Sequence, residues 1–219
     1  MRVLGLETSS PLGSVALLES GRVVASAQQE AAGSLAERIV PLLHGVLASA
    51  GWSPADIERV AVGLGPGSFT GLRVGLALAA GLGVGLGVPV VGVCSLAAIA
   101  HSATLPPEVL RVVVLDARRA EVFCGAYDAE SSTVVEPRAV SLVEFPRWLA
   151  ALGEPRALLG QGASLVGAEP GSDHRPLPHA VDVAAIGARL DPAQAPPEPR
   201  YVRDAGATPQ SLPTAPWSR

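Results

Sequence analysis

Fourteen residues, Val62-Gly-Leu-Gly-Pro-Gly-Ser-Phe-Thr-Gly-Leu-Arg-Val-Gly75, carry a short apolar strand into a glycine-rich turn and on into a helix. Gly65 and Gly67 permit backbone angles closed to other residues, Pro66 stiffens the loop, and Ser68 or Thr70 is placed to cap the helix. Free N–H groups at such a helix start, with the positive end of its dipole, suit a phosphate. A turn of this kind also serves simply to change direction, so on the pattern alone a ligand loop and a plain turn both stand.

The residues after the turn narrow the fold further. Residues 74–100 contain no charge and exceed the length of a membrane span, yet Gly81, Gly83, Gly85 and Gly87 followed by Pro89 punctuate the run. Residues 88–93 are rich in β-branched side chains, so the segment reads as buried helix, strand and helix rather than a membrane anchor. Upstream, strands are expected at 3–7, 13–18 and 22–28, joined by short turns and therefore antiparallel, then a helix over 34–50. A strand at 59–63, a helix from 70 to about 85, a strand at 88–93 and a helix over 95–102 complete this half. Three antiparallel strands followed by αβαβα is the order of the ribonuclease H-like fold, and the alternating part implies parallel pairing.

The Thr104-Leu-Pro-Pro-Glu108 segment breaks the pattern and marks a junction between a first domain, 1–104, and a smaller second α/β domain, 105–190. There the expected elements are strands at 111–115, 122–127, 134–140 and 157–160, a short helix holding Phe145, Trp148 and Leu149, and a last helix over 180–190. From 191 to 219 recurrent prolines prevent regular structure, giving an extended tail.

Composition removes several function classes. With 48% hydrophobic and 16% charged residues the 219-residue chain is globular, and a net charge of −4 gives no general attraction to a polyanion. All 16 basic residues are arginine, which excludes Schiff-base chemistry and the lysine of a Walker A loop. Cys94 and Cys124 lie in apolar runs without metal-spaced neighbours and read as buried reduced thiols. The N-terminus lacks the pattern of a signal peptide, so a cytoplasmic location is expected.

Two helices draw attention as interaction elements. On the first, Leu35, Ile39, Leu42, Leu43 and Val46 form one apolar stripe, while Ala36, Val40 and Leu47 form another. On the second, Gly71, Gly75, Ala79, Gly83 and Gly87 recur every fourth residue and make a ridge that admits another backbone. That ridge packs either on the protein's own sheet or at a subunit interface. The interface reading takes in Leu35, Ile39, Leu42, Leu43, Gly71, Leu72, Arg73, Gly75 and Ala79, with Arg73 near the surface for recognition or loop support.

Leu4-Gly-Leu-Glu-Thr-Ser9 joins the first two strands and offers a carboxylate at Glu7 beside several hydroxyls. Together with Gly65-Pro-Gly-Ser-Phe-Thr-Gly-Leu-Arg-Val-Gly75, Asp116-Ala-Arg-x-x-Glu-Val122 and Pro199-Arg-Tyr-Val-Arg203, it resembles the TsaB (YeaZ) family over nearly the whole chain. The resemblance implies two ribonuclease H-like domains of the actin, Hsp70 and sugar-kinase superfamily, the second reduced. It further implies a non-catalytic scaffold or activator that works with the paralogue TsaD and the ATPase TsaE. Together these would transfer threonylcarbamoyl from threonylcarbamoyl-adenylate to N6 of the adenosine just after the tRNA anticodon. A TsaD heterodimer, a homodimer when alone, and tRNA contact only through the complex are expected.

The same resemblance argues against a catalytic role. Where the metal-binding paralogue carries a His-x-x-x-His pair, this chain has Ser95 and Ile99, so no metal, cofactor or catalytic residue is assigned. Glu7, Thr8, Ser9, Gly65, Gly67 and Ser68 are then a vestigial nucleotide site. In the second half, Asp116-Ala-Arg lacks the glycine that admits a phosphate, and Asp116, Arg118 and Glu121 read as a turn-stabilising ion pair. His101 is single and out of register, His174 and His179 sit in a proline-rich loop, and His44 marks a polar helix edge. A metallopeptidase-like glycoprotease and a small-molecule kinase remain the enzymatic alternatives.

Overall fold

The computed structural model describes residues 1–30, 35–168 and 173–202. Strands β1 (Arg2–Glu7), β2 (Leu12–Glu19) and β3 (Arg22–Glu30) form an antiparallel meander, and β4 (Arg59–Gly63) and β5 (Val90–Val93) add in parallel on the other side of β1. The resulting order β3-β2-β1-β4-β5 is ribonuclease H-like. Alternation along the strands splits the core between two faces. Leu4, Leu6, Val15, Leu17, Val60 and Val62 point toward α1 (Leu35–Ala50) and α2 (Phe69–Leu86). Val3, Ala16, Leu18, Ala61 and Val91 point the other way, toward α5 (Ala180–Gly187).

A second sheet, ordered β8-β7-β6-β9, contains β6 (Leu110–Arg118), β7 (Glu121–Tyr127), β8 (Thr133–Ser141) and β9 (Arg156–Leu159), with β9 parallel to β6. It is a reduced version of the first, backed by α4 (Phe145–Ala150). Between the sheets lies α3 (Ser95–His101), buried from Ser95 to Ala100. Ala98 packs with the first sheet, while Leu96, Ile99 and Ala100 pack with Val113, Leu115 and Tyr127 of the second.

The expected elements are present with shifts of up to three residues at their ends, the largest at β6, which runs on to Arg118, and at α5, which stops at Gly187. The start of the first helix at Ser34 lies outside the described residues, as does the tail beyond Val202. One grouping differs. The expected second domain, 105–190, includes α5, but α5 packs on the first sheet. Ser14 Oγ of β2 accepts the Ala180 N–H at 2.9 Å, and Arg59 Nη1 donates to the Gly187 and Leu190 carbonyls at 2.9 and 2.8 Å. A guanidinium at a helix C-terminus satisfies orphan carbonyls and complements the dipole. After α5 the chain runs along the β5 edge, where the Gly92 N–H donates to the Ala195 carbonyl at 3.0 Å.

The uncharged run resolves as helix, strand and helix, but the first helix is only partly buried rather than interior: α2 ends at Gly87 in the left-handed conformation, and β5 and α3 are interior. Among the described residues, helix α2 alone is long and apolar enough to cross a bilayer, yet Gly71, Leu72, Gly75 and Ala79 form a stripe buried in the fold. Its opposite side is exposed.

Candidate functional site

The turn after β1 and the glycine loop after β4 meet because their strands are parallel neighbours, Leu6 beside Val62. Glu7, at the end of β1, has no exposed surface. Its Oε1 accepts the Ser9 N–H at 2.6 Å, and its Oε2 accepts the Ser95 hydroxyl at 2.7 Å. Ser95 Oγ also receives the Gly65 N–H at 3.0 Å and lies 3.1 Å from Ser9 Oγ. Burial pushes the Glu7 pKa up, and these hydrogen bonds oppose the shift without cancelling it.

The start of α2 is pressed onto the same hairpin. Ser68 caps the helix by accepting the Gly71 N–H at 3.2 Å, and its own N–H donates to the Ser9 carbonyl at 2.7 Å. Thr8 Oγ1 donates to the Gly71 carbonyl at 2.8 Å. A Cβ on Gly67 would stand 2.2 Å from the Ser9 carbonyl oxygen, and one on Gly71 would stand 2.0 Å from that of Thr8. Glycine at these positions is therefore a packing requirement. All six residues of the expected nucleotide site are brought together, but the Gly65, Ser68 and Gly71 N–H groups point at the protein's own oxygens.

Outside this contact an open cleft runs between Ser9, Ser10 and Ser68 on one side and Asp116, Arg118 and Gln161 on the other. Asp116 Oδ1 accepts the Arg118 N–H at 2.7 Å and its Oδ2 pairs with the Arg118 guanidinium at 3.1 Å, so the turn-stabilising pair is present. Glu121 faces Arg118 across the strand register. Arg118, Arg119 and Ala120 all have positive φ, at 62°, 55° and 58°. No glycine relieves that turn.

The histidines are engaged separately. His101 Nδ1 lies 3.0 Å from Asp182 Oδ1, whose second oxygen accepts Arg175 Nη1 at 2.7 Å, so the helix-end histidine clasps α3 to α5. His174 Nε2 accepts the Gly160 N–H at 2.8 Å. His179 Nδ1 caps α5 by accepting the Val181 N–H at 3.1 Å, and burial followed by the Arg175 charge pushes its pKa down. His44 is exposed on α1. Among the described residues no three His, Cys, Asp or Glu side chains converge on a point that would hold a metal. Cys94 and Cys124 are separate buried thiols, Cys94 Sγ lying 3.3 Å from the Tyr127 hydroxyl.

The expected interface requires correction. Leu35, Ile39 and Leu43 are buried under α1, and Leu42 is half-buried against the same core. Gly71, Leu72, Gly75 and Ala79 are buried under α2, with Thr8 Oγ1 2.2 Å from where a Gly75 Cβ would stand. The small-residue ridge faces the protein's own hairpin and sheet. Of the nine residues only Arg73 is exposed, its guanidinium 3.8 Å from the Phe69 ring centre. The outer face of the helix pair is formed instead by Ala36 and Val40 of α1 and Phe69, Arg73 and Ala77 of α2, around a shallow apolar groove. Val84 continues it, 87% exposed. Arg73 could have revealed this phase, since Phe69 and Ala77 lie four residues to either side of a charge that must reach water.

The family model of TsaD, tRNA N6-adenosine threonylcarbamoyltransferase, matches residues 23–167. The chain is 36% identical over 135 residues to the tRNA threonylcarbamoyladenosine biosynthesis protein TsaB of Escherichia coli, covering 61% of this chain and 58% of that protein. It is 30% identical over 168 residues to TsaB of Bacillus subtilis, covering 75% and 73% of the two chains. YeaZ from Pseudomonas aeruginosa superposes with a TM-score of 0.74 at 28% identity, covering 91% of this chain and 99% of the other. Sequence and fold agree over most of the molecule, and the chain belongs to the TsaB family.

Proposed function

We propose that this protein is a non-catalytic subunit in the biosynthesis of tRNA threonylcarbamoyladenosine, acting in the cytoplasm as scaffold and activator for a TsaD-type threonylcarbamoyltransferase, with TsaE as the third component. The observation that carries this reading is the exposed apolar face of α1 and α2. Val40 is 41% exposed, Phe69 47% and Val84 87%, on two helices that otherwise belong to the core. Contiguous apolar surface of this kind marks a protein interface. The TsaD match over residues 23–167 supports a paralogous partner. A partner of the same fold offers the same helix pair, so the two subunits meet about a pseudo-two-fold axis, and two copies of this chain do so when the partner is absent.

Two features of the cleft support a non-catalytic role. The backbone donors that would cradle a phosphate bind the protein's own hairpin. At the positions equated with the paralogue's metal histidines, the Ser95 hydroxyl donates to Glu7 and Ile99 is in the core. The net charge of −4 leaves tRNA contact to the assembled complex.

The test is calorimetric titration with the TsaD protein of the same organism, with wild type and Val40→Asp. A carboxylate at the centre of the face is expected to abolish binding and to leave the melting temperature within about 2 °C, as for other surface changes. Unchanged binding by Val40→Asp refutes the docking face. Stoichiometric metal, or ATP hydrolysis by the isolated protein, refutes the non-catalytic role.

A further inference from the structure

The C-terminal segment is tied into the molecule at the point where the outer helix face begins. After the Ala195 carbonyl accepts the Gly92 N–H, the chain crosses Pro196, Pro197 and Pro199, whose fixed φ stiffens it, with the Glu198 N–H turned back to the Pro196 carbonyl at 2.9 Å. The Arg200 N–H then donates to the Leu64 carbonyl at 2.9 Å, one residue before the glycine loop that leads into α2. The Arg200 guanidinium pairs with Glu136 of β8 at 3.1 Å, so the segment touches both sheets. The next residue, Tyr201, lies against Phe69 with ring centres 5.4 Å apart and planes inclined at 39°. Phe69 also carries the Arg73 guanidinium, which forms no ion pair among the described residues. Tyr201 is 51% exposed and Phe69 47%.

We infer that Tyr201 is part of the partner-binding face, and that segment 195–201 holds it there, so that the interface is composed from both halves of the chain. The inference rests on the docking reading above and adds a residue and a partner chemistry to it. Tyrosine and arginine dominate binding where they pack closely against the partner and become fully desolvated together. Here a guanidinium that makes no hydrogen bond among the described residues lies over one of two paired aromatic rings. The complementary surface is an apolar helix of the paralogous subunit with a carboxylate placed to meet Arg73, the fork of the guanidinium being suited to a bidentate contact. Two backbone ties and three prolines fix the segment in advance, so little ordering entropy is lost when the partner docks.

The test measures the affinity of the TsaD protein of the same organism for Tyr201→Ala, Tyr201→Phe and Val40→Asp, with the melting temperature of each. Tyr201→Ala is expected to weaken binding about ten- to a hundredfold, the range of an aromatic hot spot, while melting with wild type. Tyr201→Phe keeps the ring and is expected to bind within about threefold of wild type. A segment that served stability alone would instead lower the melting temperature and leave affinity unchanged. Binding by Tyr201→Ala within about twofold of wild type, with Val40→Asp still disruptive, overturns the role of Tyr201 and leaves the helix face standing. Binding unaffected by either variant overturns both.

Discussion

Gly75→Ala adds one methyl group to the buried side of α2. An exposed helical site would gain about 1 kcal/mol from the better propensity of alanine. Here the new Cβ would stand 2.2 Å from Thr8 Oγ1. Thr8 is 1% exposed, and its hydroxyl has the Gly71 carbonyl as partner at 2.8 Å. Relieving the overlap turns that hydroxyl away, and a buried donor without a partner costs about 1–3 kcal/mol. Crowding a filled site adds about 1–3 kcal/mol. Less the propensity gain, the net destabilisation centres on about 3 kcal/mol, or about 6–12 °C in melting temperature for a chain of this size. The remaining neighbours are Thr8 Cβ and Cγ2 at 3.4 and 3.5 Å, which are ordinary contacts. In a Thr8→Ala background the same substitution is therefore expected to be neutral or mildly stabilising, giving a coupling of about 3–4 kcal/mol. Urea unfolding of the four proteins measures it. An equal cost of Gly75→Ala in both backgrounds, or a stabilised single variant, would show that this side of α2 does not rest on the hairpin.

Glu7 has a folded-state pKa raised above 4.5 by burial, so its contribution to stability is present below 4.5 and is lost as pH rises through the folded value. Unfolding at pH 4.5 and pH 8 should therefore show Glu7→Gln gaining on wild type as pH rises; a gap that moves the other way refutes the assignment. His179 is shifted in the opposite sense, its folded pKa lying below 6.5, and only its neutral Nδ1 can cap α5. The stability it contributes is present above 6.5 and lost as pH falls through the folded value, so His179→Asn, which caps without titrating, should flatten the acid side of the stability profile. Asp182 is 4% exposed between His101 and Arg175, which are 29% and 46% exposed. Because water reaches both partners, Asp182→Ala should cost about 1–3 kcal/mol by chemical denaturation, less than a fully buried pair, and a loss below about 0.5 kcal/mol would show that the clasp is idle.

The strands were legible because alternation is local: Leu4 and Leu6 differ from Val3 and Gly5 in the residues themselves, and each set faces a different layer. Helix phase was not legible in the same way. Helix α1 is apolar on two sides, and α2 has Gly71, Leu72, Gly75 and Ala79 on one side and Phe69, Arg73, Ala77 and Val84 on the other, so apolar pattern and propensity alone do not decide which side is inside. Close approach decides it. The hairpin carbonyls at Thr8 and Ser9 leave no room for side chains at Gly67 and Gly71, and that constraint comes from a strand more than fifty residues earlier. The same limit hid the partner of Glu7. The carboxylate itself was visible as a candidate ligand, but Ser95, 88 residues away, reaches it only because α3 starts where β5 ends beside the glycine loop. The placement of α5 had its own signal in the residues: Ala180, Ala184 and Gly187 are small on the side where Gly5 and Ala61 admit a helix backbone, and Arg59 sits ready to meet its C-terminal carbonyls. Small residues therefore have two meanings in this chain. Under α2 and α5 they let the backbone approach the protein's own sheet, and the side left exposed, which we propose for the partner, is the one where α1 and α2 carry Val40, Phe69, Arg73 and Val84.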